Sequence, residues 1–177
     1  MSIAIKDKWV FWYSPRGKKA ISDATNYINN LTKLGEFNNV SDFFSYYCFL
    51  KRPSEIDIDN KLILFRNGNM PMWEECLEGG CWIIQFKKRQ LQELNKRWEA
   101  ILFACIGEEF EDENVLGAVL SKRSKRNLIE LWVKNRDEDM KIKIGEKLRT
   151  IMEMDPQNLT FYFKEHSKSL QVSFPCI

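Results

Sequence analysis

Trp73 and Glu74 stand side by side within Met70-Pro71-Met72-Trp73-Glu74-Glu75, shortly before Gly79-Gly80-Cys81-Trp82. Pro71 lacks a backbone donor and bars both a central strand and a helix interior, so the segment is expected to be a loop. An indole on a loop offers a flat platform for stacking, and an adjacent carboxylate accepts two hydrogen bonds. Guanine is the base with a matching donor pair, on its N1 and N2 edge. Methylation at N7 makes that base cationic, and a cation between two electron-rich rings gains cation–π attraction beyond stacking. The pair therefore suits a methylated guanine. The competing reading is an indole in the core beside a solvated glutamate, and the two residues alone do not separate these readings.

A nucleotide also brings phosphates. The whole chain carries 27 basic and 25 acidic residues, a net charge of +2, which argues against indiscriminate coating of nucleic acid. An anionic ligand must be met by a local cluster, and Lys122, Arg123, Lys125 and Arg126 form one between two apolar runs. A solvated hairpin tip is the alternative use of such a run. Chemistry on the phosphates would call for a carboxylate array holding a metal, or for a histidine nucleophile. The single histidine, His166, lies in a Lys/Ser-rich segment, and the crowded run Glu108, Glu109, Glu111, Asp112 and Glu113 reads as a solvated turn. No Gly-rich phosphate loop accompanies it. A binding protein is expected, with no enzymatic activity, no cofactor and no metal.

Five cysteines (Cys48, Cys76, Cys81, Cys105, Cys176) are irregularly spaced and suit free thiols in a reducing, cytoplasmic compartment. No apolar run approaches the roughly 20 residues that span a bilayer, so no membrane association is expected. The six tryptophans, five tyrosines and twelve phenylalanines mostly supply core.

The elements that must position these residues are read from periodicity and punctuation. Trp9 to Tyr13 is a strand of β-favouring residues ended by Ser14-Pro15-Arg16-Gly17. The Asn-, Thr- and Lys-rich stretch from Ala20 to Asn39 reads as a long loop with Tyr27 as its conspicuous aromatic. A short helix through Tyr47 starts at a Ser41 cap, and Leu62 to Phe65 is a strand. Gly79-Gly80 introduces a strand over Cys81 to Phe86. Leu91, Leu94, Trp98, Ile101, Leu102 and Cys105 then mark an amphipathic helix. Val115 to Leu120 and Leu128 to Val133 form a hairpin around the basic turn. A last helix begins at Asp137 to Asp139 and stops at Asp155-Pro156, and Thr160 to Phe163 is a final strand. The sum is an α+β fold in one domain, residues 1–177, with helices on one face of an antiparallel sheet. The other face is left for ligand.

Ordered motifs carry a resemblance over nearly the whole length. These are Trp9-Val10-Phe11-Trp12, Val40-Ser41-Asp42-Phe43-Phe44, Pro71-Met72-Trp73-Glu74, Gly79-Gly80-Cys81-Trp82, Trp98 before Ile106-Gly107-Glu108, Gly117-Ala118-Val119, and Trp132 after the basic turn. Together they resemble the eukaryotic translation initiation factor 4E family, the mRNA cap-binding proteins. The resemblance implies a strongly curved sheet of about eight strands, three helices on its convex back and a cap slot on its concave face. It implies that Trp73 is one wall, Glu74 the guanine-reading carboxylate, and Trp132 the ring against the N7 methyl group. Counting back ten residues from Phe37 places the second wall at Tyr27, where most members have tryptophan. Tyrosine there, with Phe11-Trp12-Tyr13-Ser14, is similar to the 4E homologous protein branch.

Arg123 and Lys125 match the family's phosphate-clamping positions, Arg123 able to bind bidentately and Lys125 as a point charge. Two departures stand beside them: Cys81 replaces a common arginine and Leu128 a common lysine, with Arg126 in position to compensate. The resemblance further implies a monomer that binds capped mRNA (m7GpppN). On its convex face it would take a scaffold initiation factor, or an inhibitory binding protein, carrying a Tyr-x-x-x-x-Leu-hydrophobic motif. Val40, Phe44 and Phe103 match that convex surface, although they also suit plain packing between helices. Two other outcomes share the fold: a cap-binding repressor of the 4E homologous protein type, and a relative that has lost the cap and serves as a protein-interaction module.

Overall fold

The computed structural model describes residues 2–15, 24–153 and 160–167. The expected turn at Arg16-Gly17 and the Cys176 thiol lie outside them. Seven strands are present among the described residues: β1 (Ala4–Ser14), β2 (Thr32–Asn39), β3 (Lys61–Arg66), β4 (Gly80–Lys87), β5 (Val115–Ser121), β6 (Arg126–Val133) and β7 (Thr160–Glu165). They form one curved sheet in the order β2-β1-β3-β5-β6-β4-β7, with every neighbouring pair antiparallel. The expectation of about eight strands is thus met by seven.

Strand alternation sorts the side chains onto two faces. On β6, Ile129, Leu131 and Val133 belong to the larger cluster with Trp9, Phe11, Ile84, Trp98 and Ile144. Leu128 and Trp132 belong to a smaller cluster with Ile63, Phe65, Cys81, Ile83, Leu116 and Val119. The larger cluster is covered by three helices, α2 (Val40–Tyr47), α3 (Leu91–Ile106) and α4 (Glu138–Ile151). None of these three covers the smaller one. This division gives the sheet a structural back and a front available for ligand.

From Ala24 onward the segment read as a long loop carries regular elements: α1 spans Ala24–Asn30 and β2 pairs with β1 through Trp9↔Phe37 and Tyr13↔Thr32. The composition concealed β2 because it is an edge strand whose one fully buried side chain is Phe37. Apart from Leu34, which is exposed, its remaining residues are polar or small and carry no alternation. The cap of α2 also differs from the expectation. Asn39, not Ser41, accepts from the Asp42 backbone N–H at 2.9 Å.

Local sequence explains the sheet's bending. Register shifts interrupt β1 between Ala4 and Trp9 and between Phe11 and Trp12, and β5 between Val115 and Gly117. Gly117 sits at φ 154°, and a Cβ there would lie 2.1 Å from the Leu64 carbonyl oxygen, so only glycine fits between β3 and β6 at that point. Three carboxylates of the acidic run are held in ion pairs, while Asp112 accepts from Asn114. Glu108 binds Arg66 at 3.0 Å, Glu111 binds Lys147 at 2.6 Å and Glu113 binds Lys6 at 3.1 Å.

Candidate functional site

Pro71 produces the predicted break, and the chain turns once as a 3-10 helix over Trp73–Glu75. Pro71 and Met72 are buried and anchor the loop, while Trp73 and Glu74 remain half-buried. Trp73 packs on the margin of the front cluster, not against the main core. The loop is tied down behind it. The Cys76 thiol donates to the Val133 carbonyl at 3.4 Å, and burial pushes that thiol's pKa up, so it stays a donor. The Cys76 carbonyl accepts from the Gly79 N–H at 3.1 Å and lies 3.0 Å from His166 Nδ1. The His166 backbone N–H donates to the Gly79 carbonyl at 3.1 Å. These bonds fasten the tryptophan-bearing loop to the ends of β6 and β7.

Trp132 lies on the same front, 7% exposed. Phe65 meets it edge-on at 5.5 Å, and the His166 ring lies 4.3 Å away. The indole Nε1 donates to Glu130 Oε2 at 3.1 Å. Burial lowers the His166 pKa, so at neutral pH its ring is uncharged and donates from Nδ1 to the Cys76 carbonyl.

Tyr27 reaches this face from α1. Its ring is half-buried, with the Lys61 ammonium 5.4 Å from its centroid. Burial, then Glu130, then Glu74 push the phenol up to about 12. The two carboxylates act on one phenol, which brings α1, the Trp73 loop and β6 together on the front of the sheet. Tyr27, Trp73, Glu74 and Trp132, widely separated in sequence, share this front.

Arg123 and Lys125 are exposed in the turn between β5 and β6. Among the described residues no carboxylate pairs with either. Arg126 donates to the Gln85 side-chain oxygen, and Gln85 in turn donates to the Tyr162 hydroxyl at 2.9 Å. This pins the arginine two residues from Leu128. Cys81 and Leu128 themselves are buried in the front cluster and supply no charge. Lys122 parts from its neighbours in sequence. It is 6% exposed, and burial first and then the positive charge of Lys88 lower its pKa.

Two residues of the front were not singled out from sequence. Lys61 is half-buried, and its pKa falls through burial against the opposing pull of Glu130 and the push of Arg123. Glu130 falls between Leu128 and Trp132 on β6. The available signal was the alternation Leu128-Glu130-Trp132 against Ile129-Leu131-Val133, which puts a charge among apolar residues of one face.

On the back, Val40 begins α2 and donates its N–H to the Ile3 carbonyl at 2.9 Å. Phe44 and Phe103 are 43% and 39% exposed and lie 6.3 Å apart, whereas Phe43 between them is fully buried. Tyr47 completes the patch and donates its hydroxyl to Glu99 at 2.7 Å. A cleft of about 530 Å³ runs beside it, lined by Phe44, Tyr47, Leu50, Arg52, Asn95 and Glu99 among others.

A curved antiparallel sheet backed by helices, with aromatic rings, a loop carboxylate and a basic turn on its open front, defines a class of small-ligand-binding domain. Residues 4–174 match the family model described as eukaryotic initiation factor 4E, and the chain belongs to that family. It is similar to eukaryotic translation initiation factor 4E1 of Drosophila melanogaster, 33% identical over 159 residues that cover 87% of this chain and 59% of that protein. Against that relative the chain spans less than two thirds of the length. Among solved structures, C. elegans eIF4E-3 in complex with the 4E-binding protein Mextli and a cap analog superposes with a TM-score of 0.86. At 23% identity, covering 97% of this chain and 96% of that one, it shows the fold. Ascaris suum eIF4E-3 with an m2,2,7G cap gives a TM-score of 0.85 at 28% identity, covering 94% and 92%.

Proposed function

We propose that this chain binds the 7-methylguanosine 5′ cap of mRNA and acts in translation initiation as one cap-binding domain. The observation that carries the reading is that Trp73 and Trp132 share one cluster on the front of the sheet, where Tyr27 lies within the field of Glu74 and Glu130. In this reading Trp73 and Tyr27 sandwich the cationic base, and Glu74 accepts from its N1 and N2 donors. Trp132 meets the N7 methyl group. Arg123 and Lys125 hold the phosphates through charge-assisted bonds, with Arg126 replacing the charge missing at Cys81 and Leu128. Family membership and the cap-bound relative of Ascaris suum support this assignment.

The protein's role is binding, with the cap released unchanged, and its compartment is the cytoplasm. On the back, Val40, Phe44 and Phe103 receive a partner segment of the Tyr-x-x-x-x-Leu-hydrophobic type. The half-exposed rings beside the cleft support that use, as does the Mextli-bound relative of the same fold.

Retention on immobilised m7GTP tests the proposal. The protein should be held on the resin and released by free m7GTP but not by equal GTP; passage through the column unretained would contradict cap binding.

A further inference from the structure

Glu130 is an unusual occupant of an otherwise apolar strip. Its strand neighbours on the front are Leu128 and Trp132, and its cross-strand partners are Ile83 on β4 and Val119 on β5. Desolvating a carboxylate among such side chains is unfavourable unless hydrogen bonds or cations compensate. The compensation here is partial. Trp132 Nε1 satisfies one oxygen at 3.1 Å, out of about four acceptor sites that a carboxylate offers. Lys61, the cation whose field reaches Glu130, holds its ammonium over the Tyr27 ring at 5.4 Å and not on the carboxylate. Glu130 therefore keeps acceptor capacity and negative charge directed at the surface shared by Tyr27 and Trp132.

A charge in that position distinguishes ligands by their own charge. The apolar surroundings reduce local screening, so a positively charged ring near Glu130 is favoured over a neutral ring of the same shape. The same carboxylate also polarises the Trp132 indole that donates to it. Lys61 opposes both effects. It tempers the preference and keeps the front from repelling the ligand's phosphates.

We propose that Glu130 is a specificity-determining residue of the slot, a second carboxylate that selects a cationic purine over its neutral counterpart, with Lys61 as its counterweight. This rests on the cap-binding reading above and adds to it a residue outside the guanine-reading pair. Glu74 would read the polar edge of the base, and Glu130 its charge.

The test compares m7GTP with GTP, titrated at fixed salt into the full chain and into Glu130→Gln. Glutamine keeps an oxygen for the Trp132 N–H while removing the charge. The expected result is that the m7GTP-to-GTP affinity ratio falls roughly fivefold or more, mainly by loss of m7GTP binding. A ratio within twofold of the parent's, including equal weakening of both ligands, overturns the proposal. Should Glu130→Gln fail to fold, Lys61→Met carries the test: a widened ratio supports the counterweight and an unchanged or narrowed ratio overturns it. A parent protein with no preference for m7GTP would instead defeat the cap reading itself, which keeps the two failures distinct.

Discussion

The imidazole of His166 lies 4.3 Å from the indole of Trp132, inclined at 53°, and joins that ring to the Trp73 loop through the Cys76 carbonyl. This chain's only histidine thus braces two of the proposed cap-contacting tryptophans from behind. Its buried Nε2 has no partner among the described residues, so a second proton there would be poorly accommodated.

Acid should therefore loosen the site. The His166 pKa is lowered by burial first, with the Cys76 carbonyl and Glu130 pulling the other way and Lys164 adding to the lowering. The unfolded chain then binds a proton before the native one does. Stability is at its full value above about pH 6.5, falls as pH drops through that value, and levels off below the native pKa. Replacing His166 by Phe should cost about 1–2 kcal/mol through the lost hydrogen bond and remove this part of the pH dependence. Urea midpoints of both proteins at pH 7.5, 6.5 and 5.5 check it, and identical slopes would contradict the bracing role.

Tyr27 is expected to act as the weaker of two walls. Tryptophan gives the stronger cation–π contact, so Tyr27→Trp should tighten m7GTP binding and Tyr27→Ala should weaken it, each by roughly 0.5–2 kcal/mol. Unchanged affinity in both variants would remove Tyr27 from the slot.

Arg123 is exposed, and among the described residues no carboxylate engages it, so it is free to meet a phosphate. Arg123→Ala should weaken m7GTP binding by roughly tenfold and make its dependence on salt shallower. The comparison is the slope of log affinity against log salt, and a variant with the parent's slope would exclude the clamp.

The back of the sheet makes a contrast between adjacent residues. Phe43 is fully buried among Phe11, Phe37 and Tyr47, so Phe43→Ala should cost about 3–5 kcal/mol. Phe44 is 43% exposed, and Phe44→Ala should cost about 1 kcal/mol or less while weakening a Tyr-x-x-x-x-Leu-hydrophobic peptide. Thermal melts and peptide titrations separate the two. Large destabilisation at Phe44 with unaltered peptide affinity would make it ordinary packing.

The parts of the fold that could be read from sequence are those in which local chemistry and burial agree. Pro71 forced the turn that presents Trp73, and the apolar stripe from Leu94 to Cys105 became the buried side of α3. Around Tyr27 they disagree. The polar stretch is held by backbone pairing with β1 and by Phe37, and neither leaves a periodic trace. The candidate rings and the basic turn were legible as motifs. Lys61 and Glu130 were not, because a charge within a strand ordinarily marks the solvent side, and only the assembled sheet shows that this side faces Tyr27.

Titration of intrinsic tryptophan fluorescence with m7GTP and with GTP tests the cap-binding account most directly, since Trp73 and Trp132 would be the responding rings. The account predicts saturable quenching by m7GTP at concentrations where GTP has little effect, and loss of that response in Trp73→Ala. Equal quenching by both nucleotides, or by neither, would contradict it.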